Sequence, residues 1–261
     1  VRIATWNINS VRSRIDRVTG FLERHDVDVL AIQETKCRDD QFPGLGLDAM
    51  GYEWAHLGIN QWNGVAILSR VGLEDVATTF ADDQPVYDGV LEPRAIGATC
   101  GGVRVWSLYV PNGRELGHAH YDYKLAWLER LRQAGAEWLA ADPDAQIALT
   151  GDWNIAPEDE DVWDMTAFEN STHVSEPERA AFRAMIDAGF ADVVRPHTPG
   201  PGVYTYWDYQ RLRFPKREGM RIDFALCSPA LAGRVSKGWI DREERKGKGA
   251  SDHAPVVIDL D

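Results

Sequence analysis

The sequence predicts an α/β (α+β) protein in which two β-sheets pack on one another with helices outside. Three observations lead there. Short apolar runs of buried-strand type outnumber the amphipathic helical stretches. Several of these runs follow one another directly, which a simple alternating βαβ fold does not allow. With 261 residues, 44% hydrophobic and 26% charged, the chain can build a large core, and its composition excludes disorder, collagen and coiled coil.

In chain order, Arg2-Ile3-Ala4-Thr5-Trp6 alternates as a strand and enters Asn7-Ile8-Asn9-Ser10, a polar cluster able to cap a helix. Val11, Ile15, Val18 and Phe21 or Leu22 then recur at helical spacing. Asp28 to Gln33 is a buried-strand run that stops on Glu34, and similar runs recur at 64–69, 95–100, 103–110, 146–150, 223–228 and 255–260. Tyr121, Leu125, Leu128, Leu131, Trp138 and Leu139 mark a long amphipathic helix, and Glu178 to Ala188 a shorter one. Glu158-Asp159-Glu160-Asp161 reads as a solvated helix start. The Pro/Gly-rich stretch from Arg195 to Gly202 reads as an internal loop with strand-like sequence following at once. There is no tandem repeat, low-complexity tract or long linker, so one domain is expected over residues 1–261.

Charge and cysteines bound the setting. The 28 basic and 41 acidic residues give −13, which taken alone argues against a polyanionic partner such as DNA. No run approaches the ~18 consecutive apolar residues of a membrane span, so no membrane partner is expected. No basic-then-apolar leader precedes the first motif, and the opening Val1 is expected from removal or trimming of an initiator methionine. Cys37, Cys100 and Cys227 are few and far apart, which fits a reducing cytoplasm better than a disulfide framework.

The chemistry gathers at strand ends. The apolar runs stop on, or begin from, side chains that a core would not choose: Asn7, Glu34, Tyr109 with Asn112, Asp152 with Asn154, Asp223, and Ser251-Asp252-His253. Ligands of layered α/β folds sit at such ends, where loops converge on a rigid support. Four acids (Glu34, Asp152, Asp223, Asp252), the carboxamides Asn7 and Asn154, His253 and Tyr109 form a hard-oxygen set that favours Mg²⁺ or Mn²⁺ over zinc. Such a cation keeps waters that face phosphate, so the set points to metal-assisted hydrolysis of a phosphate ester. Singly, each residue has a plainer role: Asn7 as a helix cap, Glu34 as an ion-pair member, Asp152-Trp153-Asn154 as a turn, Tyr109 as a core tyrosine.

Read together, Trp6-Asn7-Ile8-Asn9, Gln33-Glu34-Thr35-Lys36, Tyr109-Val110-Pro111-Asn112-Gly113, Gly151-Asp152-Trp153-Asn154, Arg221-Ile222-Asp223 and Ser251-Asp252-His253-Ala254-Pro255 occur in this order. Their order and spacing resemble the exonuclease III family of abasic-site endonucleases, within the endonuclease/exonuclease/phosphatase superfamily, from Arg2 to Leu260. Tyr109 to Gly113, Asn154-Ile155-Ala156-Pro157, Tyr204 to Tyr209 and Gly219 to Asp223 are similar to the DNA-repair branch rather than to the sphingomyelinase or inositol-phosphatase branches.

The resemblance implies a four-layer α/β sandwich of two packed mixed sheets flanked by helices. It implies a Mg²⁺-dependent nuclease, with Mn²⁺ as a substitute and one or two ions, that cleaves 5′ to abasic sites in duplex DNA and trims 3′ ends as a 3′–5′ exonuclease. Glu34 would hold the metal with Asn7, Asn9 and Asp252, and Asp152 and Asn154 would complete the set and manage the attacking water. His253, oriented by Asp223, would contact the scissile phosphate, and Tyr109 would assist it or the leaving oxygen. Tyr206, Met220 and Ile222 would form the pocket for a flipped abasic sugar, and Asn112 and Arg114 would contact backbone phosphate. The family commonly carries tryptophan where Met220 stands, which implies a looser pocket. The implied partner is duplex DNA with abasic sites or blocked 3′ ends, met in the cytoplasm at the nucleoid, and a monomer suffices for the site.

A phosphodiesterase or phosphatase acting on a lipid headgroup or small phosphate ester shares the hydrolytic core but should lack the pocket and the basic segment beside it. Residues 205–249 hold 11 basic and 6 acidic residues, a surplus of +5, leaving 17 basic and 35 acidic residues elsewhere, or −18. Net charge thus hides a basic segment flanking the pocket and Asp252-His253.

Overall fold

In the computed structural model, which describes residues 1–261, two six-stranded sheets pack face to face. The chain runs β1 (Arg2–Asn7), α1 (Val11–Arg24), β2 (Val29–Gln33), α2 (Leu45–Ala49), β3 (Glu53–Leu57), β4 (Val65–Ser69), β5 (Glu74–Ala77), β6 (Ala95–Cys100) and β7 (Val103–Tyr109). It continues through α3 (Ala119–Ala141), β8 (Ile147–Asp152), α4 (Glu176–Asp187), β9 (Ala191–Asp192), β10 (Asp223–Cys227), α5 (Pro229–Ala232), β11 (Val235–Ile240) and β12 (Val256–Leu260). The first sheet has the order β11-β12-β1-β2-β4-β3, and the second β5-β6-β7-β8-β10-β9.

Alternation along the strands builds four layers. In β1, Ile3 faces the opposite sheet with Val29, Ile67, Ile96, Val105 and Ile258, while Ala4 and Trp6 face α1, whose Val18, Phe21 and Leu22 meet them. On the far side, Trp106, Leu108, Leu149 and Phe224 pack under Trp127 and Leu131 of α3 and under Phe182 and Met185 of α4. Both faces of the central strands are therefore buried, which is why they read as continuous apolar runs.

A polar pin crosses the apolar interface close to one edge. Gln33 Nε2 donates to Thr5 Oγ1 and, across the sandwich, to Ser107 Oγ, each at 3.0 Å. Ser107 Oγ returns a bond to Ile32 O at 2.8 Å. The sheets are thus held in register near the ends of β1, β2 and β7.

The segment after Arg195 departs from the sequence reading. Residues 203–222 are no strand: they carry isolated bridges, Tyr206 to Met220 and to His253, because Gly, Pro and charged residues interrupt every ladder. Asp159 to Asp161 form one 3₁₀ turn rather than a solvated helix start, and Asp161 is fully buried, ion-paired with Arg221 and Arg195. No helix is long and apolar enough to cross a membrane.

Candidate active site

The two parallel pairs, β1 with β2 and β7 with β8, deliver four strand ends to one edge of the sandwich. Asn7 lies opposite Gln33, so Asn7 and Glu34 emerge together, and Tyr109 lies opposite Asp152. β10 is antiparallel to β8, so its first residue, Asp223, lies opposite Asp152. β12 is antiparallel to β1, so Asp252 and His253 enter from the same side. Topology alone brings residues up to 246 positions apart in sequence to one place.

Asn7 is the hub. Its Nδ2 donates to Glu34 Oε1 at 2.8 Å and to Asp152 Oδ2 at 3.0 Å, while Ser251 Oγ donates to Asn7 O at 2.6 Å. Asn7 therefore caps no helix; α1 starts after Ser10, which makes no side-chain cap. Glu34 sits in the left-handed region at φ 52, an uncommon conformation for a non-glycine residue, which turns its carboxylate off the end of β2. Burial raises the Glu34 carboxyl, but the Asn7 amide and the Lys36 charge more than offset this and hold it below its ordinary value.

His253 lies between two carboxylates. Its Nδ1 meets Asp223 Oδ2 at 2.8 Å and its Nε2 faces Asp152 Oδ2 at 3.6 Å. Burial lowers its pKa, but Asp223 and then Asp152 push it up to about 10, so the ring is an imidazolium. Asp223 is itself fixed: Thr205 Oγ1 donates to its Oδ2 at 2.7 Å. Burial and the neighbouring Asp223 raise the Asp152 carboxyl to about 7, against the pull of His253. The Asn154 N–H donates to Asp152 Oδ1 at 3.0 Å and aims that carboxylate.

Ligand atoms of Glu34, Asp152 and His253 lie within 4.8 Å of one another. This donor set fits a hard divalent cation, because the charged His253 ring leaves carboxylate oxygens as the donors. Burial, and after it the nearby Glu34, raise the Asp252 carboxyl against the pull of His253. The three cysteines lie free in the apolar cores.

Other residues named above fall outside this centre. Asn9 turns to Lys36, whose Nζ donates to Asn9 Oδ1 at 2.6 Å. The Asn154 side chain is engaged elsewhere, its Nδ2 donating to Val110 O at 2.8 Å and its Oδ1 meeting His173 Nε2 at 3.1 Å. Tyr206 and Met220 line a cavity of about 190 Å³ with Trp163, Phe168 and Arg213, and the Tyr206 ring lies 5.0 Å from that of His253. Ile222 is behind that wall, buried with Ala156 and Val162. Asn112 and Arg114 sit exposed at the rim, where Asn112 Oδ1 accepts the Arg114 N–H at 2.9 Å.

Three supporting residues escape a motif reading. Lys124, buried on α3, donates to Asn112 O at 3.1 Å, to Asn154 O at 2.6 Å and to Glu178. A lysine three residues after Tyr121 and four before Leu128, on an apolar face, was the available signal. His173, at φ 77, is kept neutral by burial and by Lys124. No local pattern marks it. Arg94 precedes the apolar run of β6 and is buried beside Tyr109.

Three comparisons bear on this geometry. The model of the Endonuclease/Exonuclease/phosphatase family matches residues 4–253. A 3′ phosphatase from Neisseria, solved with a product DNA hairpin, is similar at TM-score 0.92 and 35% identity, covering 100% of this chain and 99% of that one. An AP endonuclease from Archaeoglobus fulgidus is similar at TM-score 0.93 and 34% identity, covering 100% and 99%. An exodeoxyribonuclease of Bacillus subtilis is 28% identical over 99% of this chain and 98% of its own length.

Proposed function

The chain belongs to the Endonuclease/Exonuclease/phosphatase family and is a hydrolytic nuclease, and from that premise we propose that it is a DNA-repair enzyme. It hydrolyses the phosphodiester 5′ to abasic sites in duplex DNA and removes blocking groups and nucleotides from 3′ ends. The observation that carries this reading is the convergence of Glu34, Asp152 and His253 at one edge of the sandwich, beside a small aromatic-walled cavity. The similar proteins named as a 3′ phosphatase and an AP endonuclease support both halves of the activity.

Glu34, Asp152 and Asp252 would hold Mg²⁺ or Mn²⁺, with Asn7 fixing two of those carboxylates, and the bound cation would supply charge neutralisation at the phosphate. Asp152 takes the proton of the attacking water; its raised carboxyl suits a base working near neutral pH. His253, held charged by Asp223, donates to a phosphate oxygen as negative charge builds there. Tyr109, whose hydroxyl faces Glu34, donates to the phosphate or to the departing oxygen. The Tyr206 and Met220 cavity takes the flipped abasic sugar, and Asn112 and Arg114 contact backbone phosphate. A single copy of the chain carries every group named.

The test is incubation with duplex DNA containing one abasic-site analogue, and with a recessed 3′-phosphate end, in Mg²⁺ or in chelator. Mg²⁺-dependent incision at the analogue and release of phosphate are expected. Neither product, with hydrolysis of a small phosphate ester instead, would overturn the DNA reading.

A further inference from the structure

Arg94 has no role in the chemistry described so far, yet it is among the most constrained charges in the molecule. It is 4% exposed, directly before β6, and its only carboxylate partner is Glu92, at 3.0 Å from its Nε. A guanidinium is costly to bury unless its donors and its face are all used. Here Nε is used on Glu92, and Nη1 and the face are used on Tyr109. Arg94 Nη1 donates to Tyr109 O at 3.2 Å, Tyr109 N donates to Arg94 O at 2.8 Å, and the guanidinium carbon lies 4.8 Å over the Tyr109 ring. The same cation lies 5.9 Å from the Tyr123 ring, so it fills the space between two phenols.

The anchor of this clamp reaches the other side of the site. Glu92 Oε2 accepts from Asn63 Nδ2 at 3.0 Å, and Asn63 O accepts from Lys36 N at 2.9 Å, two residues from Glu34. Glu34 and Tyr109, contributed by different sheets, are therefore referenced to one buried ion pair.

We propose that Arg94 is a positioning residue for the hydrolysis, acting through Tyr109: its planar face and its bond to Tyr109 O fix the ring so that the hydroxyl stays directed at the reaction centre. A buried cation over an aromatic face resists both sliding and rotation of the ring. A reacting group displaced by about 1 Å can cost on the order of 10²-fold in rate. Lysine would keep the charge near Glu92 but has no plane to stack and no fork to reach Tyr109 O. The inference rests on Tyr109 serving the reaction as proposed above, and the experiment separates the two.

Single-turnover incision of an abasic-analogue duplex is measured for the parent, Tyr109→Phe, Arg94→Met, Arg94→Lys and the double variant Arg94→Met/Tyr109→Phe, with thermal unfolding of each. The expected result is a loss of about 10-fold or more in maximal rate for Arg94→Met and Arg94→Lys, with DNA affinity changed less than about 3-fold. In the Tyr109→Phe background, Arg94→Met should cost less than about 2-fold further, because the group it positions is gone. Arg94→Lys, which retains a partner for Glu92, carries the test if Arg94→Met unfolds. Losses that multiply in the double variant, or Arg94→Lys at parental rate, would overturn the positioning role while leaving Tyr109 in place. A Tyr109→Phe protein at parental rate would instead remove Tyr109 from the chemistry, and the role of Arg94 with it.

Discussion

At the scale of single residues, the site works by placing each ionisable group against a neighbour that sets its charge. Asp152 is the sharpest case, buried and crowded by Asp223 yet drawn down by His253. Asp152→Asn keeps the shape and loses the base, so incision should slow by roughly 10²–10⁴-fold while DNA affinity stays within a few-fold, measured by single-turnover kinetics and by titration of labelled duplex. Met220→Trp would fill part of the 190 Å³ cavity and should raise the preference for abasic over intact duplex. An unchanged preference in a side-by-side rate measurement would remove Met220 from the account. His120 tests charge placement away from the chemistry. Its Nδ1 accepts the Gly113 N–H at 3.0 Å, and burial with the nearby Arg94 and Arg114 lowers its pKa to about 4. A histidine held neutral in the fold takes up its proton more readily when unfolded, so its contribution to stability is full above about pH 6.5 and is lost as pH falls towards 4. Between pH 7 and 4.5, urea midpoints should fall less for His120→Gln than for the parent.

At the scale of elements, α3 is tied to the site by Lys124, which joins the Asn112 and Asn154 carbonyls to Glu178 of α4. Removing one member of such a buried pair leaves the other charge alone, so Lys124→Met should destabilise the protein by about 3–5 kcal/mol, and adding Glu178→Leu should recover most of that in urea unfolding. Recovery of stability without recovery of incision rate would locate the role of the lysine in the two loops it holds. The elements also explain what could be read in advance. Strands β1, β2, β4, β6, β7, β8, β10 and β12 were legible, because burial on both faces leaves an apolar run. The four strands that left no such run, β3, β5, β9 and β11, are the four edges of the two sheets. An edge strand is half-solvated, so Glu53-Trp54-Ala55-His56-Leu57 and Val235-Ser236-Lys237-Gly238-Trp239-Ile240 mix polar and apolar residues. The site divides in the same way. Asn7, Glu34, Asp152 and His253 end or precede apolar runs and stand out, and Lys124 shows only as a charge on an apolar helical face, whereas Arg94 and His173 act through contacts between segments distant in sequence, which no local spacing encodes.

At the scale of the whole molecule, the −13 net charge separates into a surplus of +5 over residues 205–249 and −18 elsewhere. Part of that surplus is already committed, because Arg221 pairs with Asp161 and Asp192, both outside the segment. Few cations remain for phosphate, so DNA affinity should fall with salt, but with a slope of only about 3–5 counterions rather than the ~10 of an extensive binder, as read from log–log titrations between 50 and 200 mM salt. A flat response would point to a small-molecule substrate. The chain order of the first sheet has a further consequence, one of timing. β12, which neighbours β1 in the interior of that sheet, comes after the other eleven strands in chain order, and His253 precedes it by only three residues. Until β12 is made, β1 has β2 but lacks its other neighbour, and His253 is missing, although Asn7, Glu34, Tyr109 and Asp152 already exist. On the proposed function, Glu34 and Asp152 are therefore synthesised well before the His253 that completes the site with them.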